Sequence, residues 1–574
     1  MTPGTPGTPG TPGTPGTPGT VRPFGDRAVF VAVADNAAAH RLAAAVAADR
    51  HPPYDVGDVI IGFRSVVVEL PTGGHDSEGV ERWVHRLDPT VGTPTDPVTG
   101  PVAVVGAQAR RIELPVVFDG PDLSFVAAIT GMTTRQVVSS LTGARLQVAF
   151  LGFSPGFAYL RGLPPELAAV ARRPQPRTSV PAGSVAVAGG FASVYPQSTP
   201  GGWMLLGRTA VELFDPELPP YALLRSGDEV RFTESTGPAP GPGPADDGSD
   251  RPLLAASGPR PVEVVEAGLL TTVQDLGRTG VAAVGVPRAG AADPDALVLA
   301  NRLMGNPDGA ACLEVTAVGP TLRFTADAHA CVVGHADVTL DGRDVAAGTV
   351  LPVAAGQALR IGTVRSGLRA TVAFAGGLAT PQLFGSRSVD VLSGLGTGPL
   401  RAGDELDLGT PSRPHGHLDP SLLDDGDTTI PRVLRALPGP HDGGGAALDA
   451  LATTTFVVRP DSNRIGVRLE PEGDGTIVVP DPPVVDSCPV VTGAVQVPPS
   501  GRPIVLLPDH ATVGGYPVLA TVITADHPVL GRLRPGDRVR LRLVGPEDAR
   551  AASVEHARRR DAAVAGWYPT GSGT

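Results

Sequence analysis

The segment Leu270-Thr-Thr-Val-Gln-Asp-Leu-Gly-Arg278 places a carboxamide, a carboxylate and a guanidinium (Gln274, Asp275, Arg278) within five positions. Such a set can orient a polar substrate, oppose a developing negative charge or present oxygen to a hard cation. A second group, VYPQSTPGGW over 194–203, arranges Tyr195, Gln197 and Trp203 around Gly201 and Gly202, whose backbone a ligand can approach closely. Arg208, just beyond it, can grip a carboxylate or phosphate in a planar fork. GFSPGFAYL at 152–160 concentrates aromatic rings in a chain that is only 4% aromatic, as either a pocket wall or a packed core requires. Arg387 and Arg464 sit in the turns GSRS and SNR, while Gln496 and Asp509 flank a further glycine-aromatic element, Gly514-Gly515-Tyr516.

Other chemistry is excluded. Lys and Arg together number 46 and none is Lys, so the chain cannot form a Schiff base, supply a Walker A lysine or carry covalently attached biotin. A net charge of −12 gives no cationic field for nucleic acid. Three cysteines without a CxxC suit neither a disulfide framework nor a thiolate metal site, and no run of apolar residues is long enough for a membrane span. A cytoplasmic location is expected. No HExxH or nucleophile elbow occurs, and His415 and His417 fall in a Pro-rich stretch.

The elements that must position these residues are short. With 74 Gly and 62 Pro in 574 residues, turns come too often for a helical bundle, and an α+β, mainly β fold is expected. Residues 1–20 carry Thr-Pro-Gly repeats and read as disordered. A small α/β domain is assigned to 21–100, with strands at 28–33 and 66–70 and an Ala-rich helix after Asn36. A β-barrel follows over 101–233, entered by a helix over 123–141 capped by Asp122. A linker at 234–260, a barrel over 261–410, a second linker at 411–432, a barrel over 433–545 and a tail at 546–574 complete the expectation. Internal repetition supports related barrels in both halves: RSGDEVRF at 225–232 recurs as RAGDELDL at 401–408 and RPGDRVRL at 534–541. Gly183-Ser-Val-Ala-Val leads to Gly-Gly-Trp203 as Gly493-Ala-Val-Gln-Val leads to Gly-Gly-Tyr516.

At these residues the chain resembles the B and C subunits of bacterial 5-oxoprolinase, related to the carboxyltransferase half of urea carboxylase and to allophanate hydrolase subunits. The B-like part, 21–233, is carried by GFSPGFAYL, VPAGSVAVAGG (180–190), YPQSTPGGW and LLGRT (205–209). The C-like part, 261–545, is carried by GLLTTVQDLGR (268–278), AADPDALVLANRLMGN (291–306), LEVT (313–316), GSRSVD (385–390), SNRIGVRLE (462–470) and GAVQVPPSGRPIVLLPDHATVGGYP (493–517). Departures from the family pattern are Leu141, Leu146, Cys488, Ala511 and Val513, where relatives usually carry polar groups.

The resemblance implies cyclophilin-like barrels and a component of an ATP-dependent 5-oxoproline amidohydrolase, acting on a small amide with a separate 5-oxoprolinase A subunit, with room for a homo-oligomer. It further implies ATP and Mg2+. Arg278, Arg387 and Arg464 would neutralise phosphate, Asp275 or Asp509 would hold the metal, and Gln496 would orient the amide. Gln274 and Asp275 would contact the nucleotide, while Tyr195, Gln197, Gly201, Gly202, Trp203, Arg208, Gly514, Gly515 and Tyr516 would line the substrate pocket. On this reading Arg464→Lys spares the fold. Alternatives are a biotin-dependent carboxyltransferase acting on urea or a related amide, with biotin on another chain, and a non-enzymatic regulator of a sensor kinase.

Overall fold

The computed structural model describes residues 21–73, 77–88, 110–236, 251–414, 416, 418, 430–441, 445–473, 475–478 and 486–564. The Thr-Pro-Gly repeats, the centre of the first linker, most of the second, and His415 and His417 lie outside them.

The first unit is an antiparallel sheet in the order Val21–Pro23, Ala28–Ala32, Ser65–Glu69, Val59–Ile61. Helix Asn36–Ala48 starts where Asp35 accepts a hydrogen bond from Ala38 N at 2.8 Å. Alternation along a strand sends successive side chains to opposite faces, and here both faces are covered. Val29 and Val31 pack on Leu42 of this helix and on Val80 and Trp83 of a second helix, Ser77–Leu87. Ala28, Phe30 and Ala32 pack on Cys488, Val490, Leu506 and Val518 of the last barrel. A sheet buried twice reads as the continuous apolar run seen here.

The second unit is a seven-stranded sheet whose edge strands, Arg111–Val116 and Met204–Arg208, meet through paired Val117 and Arg208 backbone bonds of 2.9 Å, which closes it. The single helix expected over 123–141 is two, Leu123–Thr130 and Thr134–Gly143, because Gly131 takes φ 69° and Thr133 opens a new helix with a capping box to Gln136. Asp122 stands at the N-cap position of the first, as expected, but its side chain makes no cap hydrogen bond; the carboxylate instead accepts from Leu205 N at 2.7 Å and from Arg177 at 2.8 Å.

The fourth unit is a closed barrel of Arg432–Pro438, Val518–Val522, Ala494–Gln496, Ile504–Leu506, Gly466–Pro471, Thr455–Val458 and Arg538–Leu543. Taken in chain order, its strands are neighbours in the same cyclic sequence as those of the second unit. Both put their last strand parallel to their first: Glu229–Glu234 on Arg111–Val116, and Arg538–Leu543 on Arg432–Pro438. The sequence repeat is the turn that sets up this strand. In each copy the Asp carboxylate accepts from the Arg backbone N–H three residues earlier, at 2.8, 2.7 and 2.9 Å for Asp228, Asp404 and Asp537. The preceding glycine has φ near +90° in all three, a conformation that other residues rarely adopt. The third unit, nine strands built around the long pair Ala328–Leu340 and Ala358–Phe374, shares the turn but not the order, since Glu405–Asp407 runs antiparallel to Pro261–Glu266.

The segment expected as a C-terminal tail begins with helix Pro546–Ala562. Ala549 and Ala552 pack on Leu437 and Ile523, Ser553 reaches Asp26 at 3.1 Å, and His556 reaches Asp295, so the helix ties the first, third and fourth units together. Among the described residues no helix is long and apolar enough to cross a membrane.

With this much apolar surface shared, proteolytic nicking within 237–250 is expected to leave the two halves together on native size exclusion at micromolar concentration. Separate elution would show that the interface is too weak to hold them.

Candidate functional site

Strand Leu270–Gln274 ends at Asp275, whose carboxylate organises the chain around it. Oδ1 accepts from Ser386 Oγ (2.6 Å), Ser388 Oγ (2.6 Å) and Gly277 N (2.8 Å), and Oδ2 from Arg387 N (2.7 Å). Asp275 thus pins the 385–390 turn against the strand. The Arg387 guanidinium turns away to Thr380 O. Gln274 is fully buried and donates to Thr272 Oγ1 and Val389 O, both at 3.0 Å. Arg278, also buried, donates through Nη2 to Ser388 O, while Nε and Nη1 have no hydrogen-bond partner. Burial lowers its pKa, opposed by the nearby charges of Asp390, Asp275 and Asp509. Asp390 closes the turn, accepting from Leu392 N at 3.0 Å and from Ser393 Oγ; burial and the facing Asp509 push its carboxyl up to about 7.

A second set of charges lies beside this one. Arg464 is bidentate to Asp509, Nε to Oδ2 at 2.9 Å and Nη2 to Oδ1 at 2.8 Å, and also donates to Gly290 O at 2.6 Å and to Glu314. The same Glu314 oxygen lies 3.2 Å from Arg369 Nε, and its other oxygen accepts from Ala292 N at 2.7 Å. Burial alone would lower the pKa of Arg464, but the two carboxylates more than reverse it. The cluster is inaccessible, and every guanidinium nitrogen of Arg464 is already engaged. Arg464 is therefore a structural tie between the third and fourth units, which explains why this arginine, set in a turn, is not solvated.

The two halves of the chain meet next to these charges. The 152–157 loop lies against Val284 and Gly285, with Gly156 N donating to Val284 O at 2.9 Å, and against Thr512 and Val513. A Cβ on Gly152 would come within 2.4 Å of Val513, and one on Gly514 within 2.4 Å of Gln496 Nε2, so both glycines permit the contact. Three buried polar atoms here have no hydrogen-bond partner: Ser154 Oγ from the first half, Gln496 Nε2 and Thr512 Oγ1 from the second. Buried polar groups are nearly always paired, so unpaired atoms contributed by both halves are the groups on this seam that a polar ligand could satisfy. A ligand bound here would find donors from both halves.

The aromatic residues divide. Tyr195 and Trp203 are buried with Phe157 and Tyr159 in edge-to-face contacts, and burial holds the Tyr195 hydroxyl up at about 12. Gly201 is buried and a Cβ there would meet the Tyr195 hydroxyl, so the position needs glycine, and Gly202 and Gln197 are half-buried. Gly515 is half-buried and Tyr516 is exposed at the rim. Arg208 pairs with Asp119 at 2.7 Å on an open groove of about 700 Å³. The departures Leu141 and Leu146 are fully buried in the apolar core of the second unit. Sequence reasoning does not single out Ser386, Ser388, Glu314, Asp390, Ser154 or Thr512, although GSRSVD, LEVT, GFSPGF and HATVGGY contain them.

Neither aspartate expected to hold Mg2+ offers a free pair of oxygens: Asp275 accepts four hydrogen bonds and Asp509 is clamped by Arg464. Among the described residues no three His, Cys, Asp or Glu side chains gather as a metal site.

Two family models match the chain: carboxyltransferase domain, subdomain C and D, over residues 19–224, and carboxyltransferase domain, subdomain A and B, over 284–543. The chain is 34% identical over 307 residues to the C subunit of 5-oxoprolinase from Escherichia coli (strain K12), spanning 52% of this chain and 96% of that protein. It is 50% identical over 128 residues to the B subunit of 5-oxoprolinase from Escherichia coli O157:H7, spanning 22% of this chain and 58% of that protein. The crystal structure of TTHA0988 superimposes with a TM-score of 0.75 at 34% identity, over 91% of this chain and all of that one.

Arg464→Lys should destabilise the protein by about 2 kcal/mol or more in denaturant unfolding, because one ammonium cannot replace a fork shared by two buried carboxylates. An unchanged midpoint would show that the cluster is not a tie. Asp390 gives a pH test. Its folded value lies above the ordinary 3.8, so the native state keeps a proton that the unfolded chain releases. The resulting stability is complete below about pH 4 and is lost as pH rises towards 7, by up to roughly 1.4 kcal/mol per pH unit. Asp390→Asn should therefore gain on the wild type steadily across that window. A difference that does not vary with pH would place the proton elsewhere.

Proposed function

The chain belongs to the carboxyltransferase-domain family that includes the B and C subunits of 5-oxoprolinase, and from that premise we propose that it is a cytoplasmic component of an ATP-dependent 5-oxoproline amidohydrolase. The observation that carries this reading is the seam between the two halves, to which Ser154 contributes an unpaired polar atom from one side and Gln496 and Thr512 from the other, with Arg278 as a further buried group that keeps open nitrogens. A five-membered lactam with one carboxylate needs what these groups offer: donors for a carbonyl oxygen and a cation for an acid.

An unstrained amide is a poor electrophile, and ATP when bound supplies the phosphoryl group that turns its oxygen into part of a leaving group. Gln496 Nε2 donates to the lactam oxygen and fixes its direction. The Arg278 guanidinium, held by Ser388 O, opposes the negative charge that gathers on that side; in a chain without Lys, arginine must do this work. Ser154 and Thr512 hydroxyls can each donate or accept and so hold the ring N–H and carboxylate in register. Tyr516 at the rim shields the seam from water. Ring opening to glutamate is completed by the separate A subunit. No step is assigned to Mg2+, since the residues do not fit it.

The carboxyltransferase character of both matched family models favours a second reading, carboxyl transfer from biotin on another chain. The two separate cleanly in an assay of 5-oxoproline turnover with ATP and the A subunit, free of bicarbonate and biotin carrier. Turnover under those conditions, with Gln496→Ala lowering kcat/KM by about tenfold or more at unchanged melting temperature, is the expected outcome. Dependence on a biotin carrier, or full activity in Gln496→Ala, would overturn the assignment.

A further inference from the structure

Away from the seam, a cavity of about 300 Å³ lies between helix Pro294–Leu303, the long strands Ala328–Leu340 and Ala358–Phe374, the 525–532 segment and the C-terminal helix. Its acids are already occupied. Asp293 caps Ala296 N at 3.1 Å and faces Arg532 at 3.5 Å, Asp295 pairs with His556 at 3.0 Å, and Asp526 with Arg435 at 3.1 Å. Its donors are not. Arg369 Nε, His335 Nε2 and Arg560 Nε are each buried without a hydrogen-bond partner, and Arg369 as a whole is only 5% exposed. Arg369 Nε does lie 3.2 Å from Glu314, but out of line for a hydrogen bond, and that oxygen already accepts from Arg464.

Surplus donors on opposite walls, one pair on the long strands and one on the C-terminal helix, ask for a ligand that only accepts. An ionised carboxylate or phosphate is such a group. Leu299, Val333 and Val529 add an apolar floor, which gains by covering carbon and gains nothing from a hydrated inorganic ion. We propose that this cavity is a second binding site, independent of the seam, for a small organic carboxylate gripped by Arg369, His335 and Arg560.

The test is calorimetric titration of the full chain with glutarate, L-glutamate and inorganic phosphate. Glutarate or L-glutamate should bind at one site, weakened about tenfold or more by His335→Ala and by Arg560→Gln, two variants at the cavity wall whose melting temperatures should stay near the wild type. Gln496→Ala, at the seam, should leave that binding unchanged, which separates the two sites. The proposal falls if neither carboxylate binds at millimolar concentration, if both wall variants bind as the wild type does, if Gln496→Ala abolishes the binding, or if phosphate binds as tightly as the carboxylates.

Discussion

A charge taken out of water must be paired where it is buried, and at the centre of this molecule that requirement is met by one arginine shared between two carboxylates. Arg464 belongs to the last barrel, as does Asp509; Glu314 belongs to a strand of the preceding unit. Leaving any of the three unpaired would strand a charge in a site without water, so the two units are fixed to each other at that point. The 290–292 backbone joins through Gly290 O and Ala292 N, and the 391 backbone through Val391 N. Asp275, Arg278 and the 385–390 turn hang from this frame. That frame leads to Thr512 and Val513, where the 152–157 loop meets the second half.

Much of the architecture is legible in the chain, and for identifiable reasons. The Arg-x-Gly-Asp repeat announces a turn because glycine supplies the backbone angle and aspartate closes it. The twofold occurrence of barrel motifs in the same order matches two sheets with one cyclic strand order. Asp293 as a helix cap is readable from Asp-Pro followed by an apolar period, and the structure has it so. These are local signals, in which cause and consequence lie within a few residues.

What is not legible depends on distant partners. Asp122 has the look of a cap, yet its carboxylate serves Leu205 and Arg177 across the barrel. Arg464 sits in a turn that ordinarily faces solvent, and nothing near it in sequence shows that Glu314 lies opposite. Asp275 reads as a metal ligand until the two serines that occupy it are seen. In each case residue type is a fair guide to chemistry, but the partner, and hence the role, comes from elsewhere in the chain.

The first unit carries a different implication. Its sheet is covered on one side by its own helices, but Ala28, Phe30 and Ala32 on the other side pack against the last barrel, and Asp26 finds Thr524 across 498 positions of sequence. On the ribosome, that face emerges long before the residues that shield it. The nascent chain must therefore carry a bare apolar sheet through most of its synthesis, a period in which such surfaces stick to chaperones or to one another. Yield in the cell is then governed by how that interval is guarded, and sequence changes on the Phe30 face would alter soluble expression even where the finished protein tolerates them.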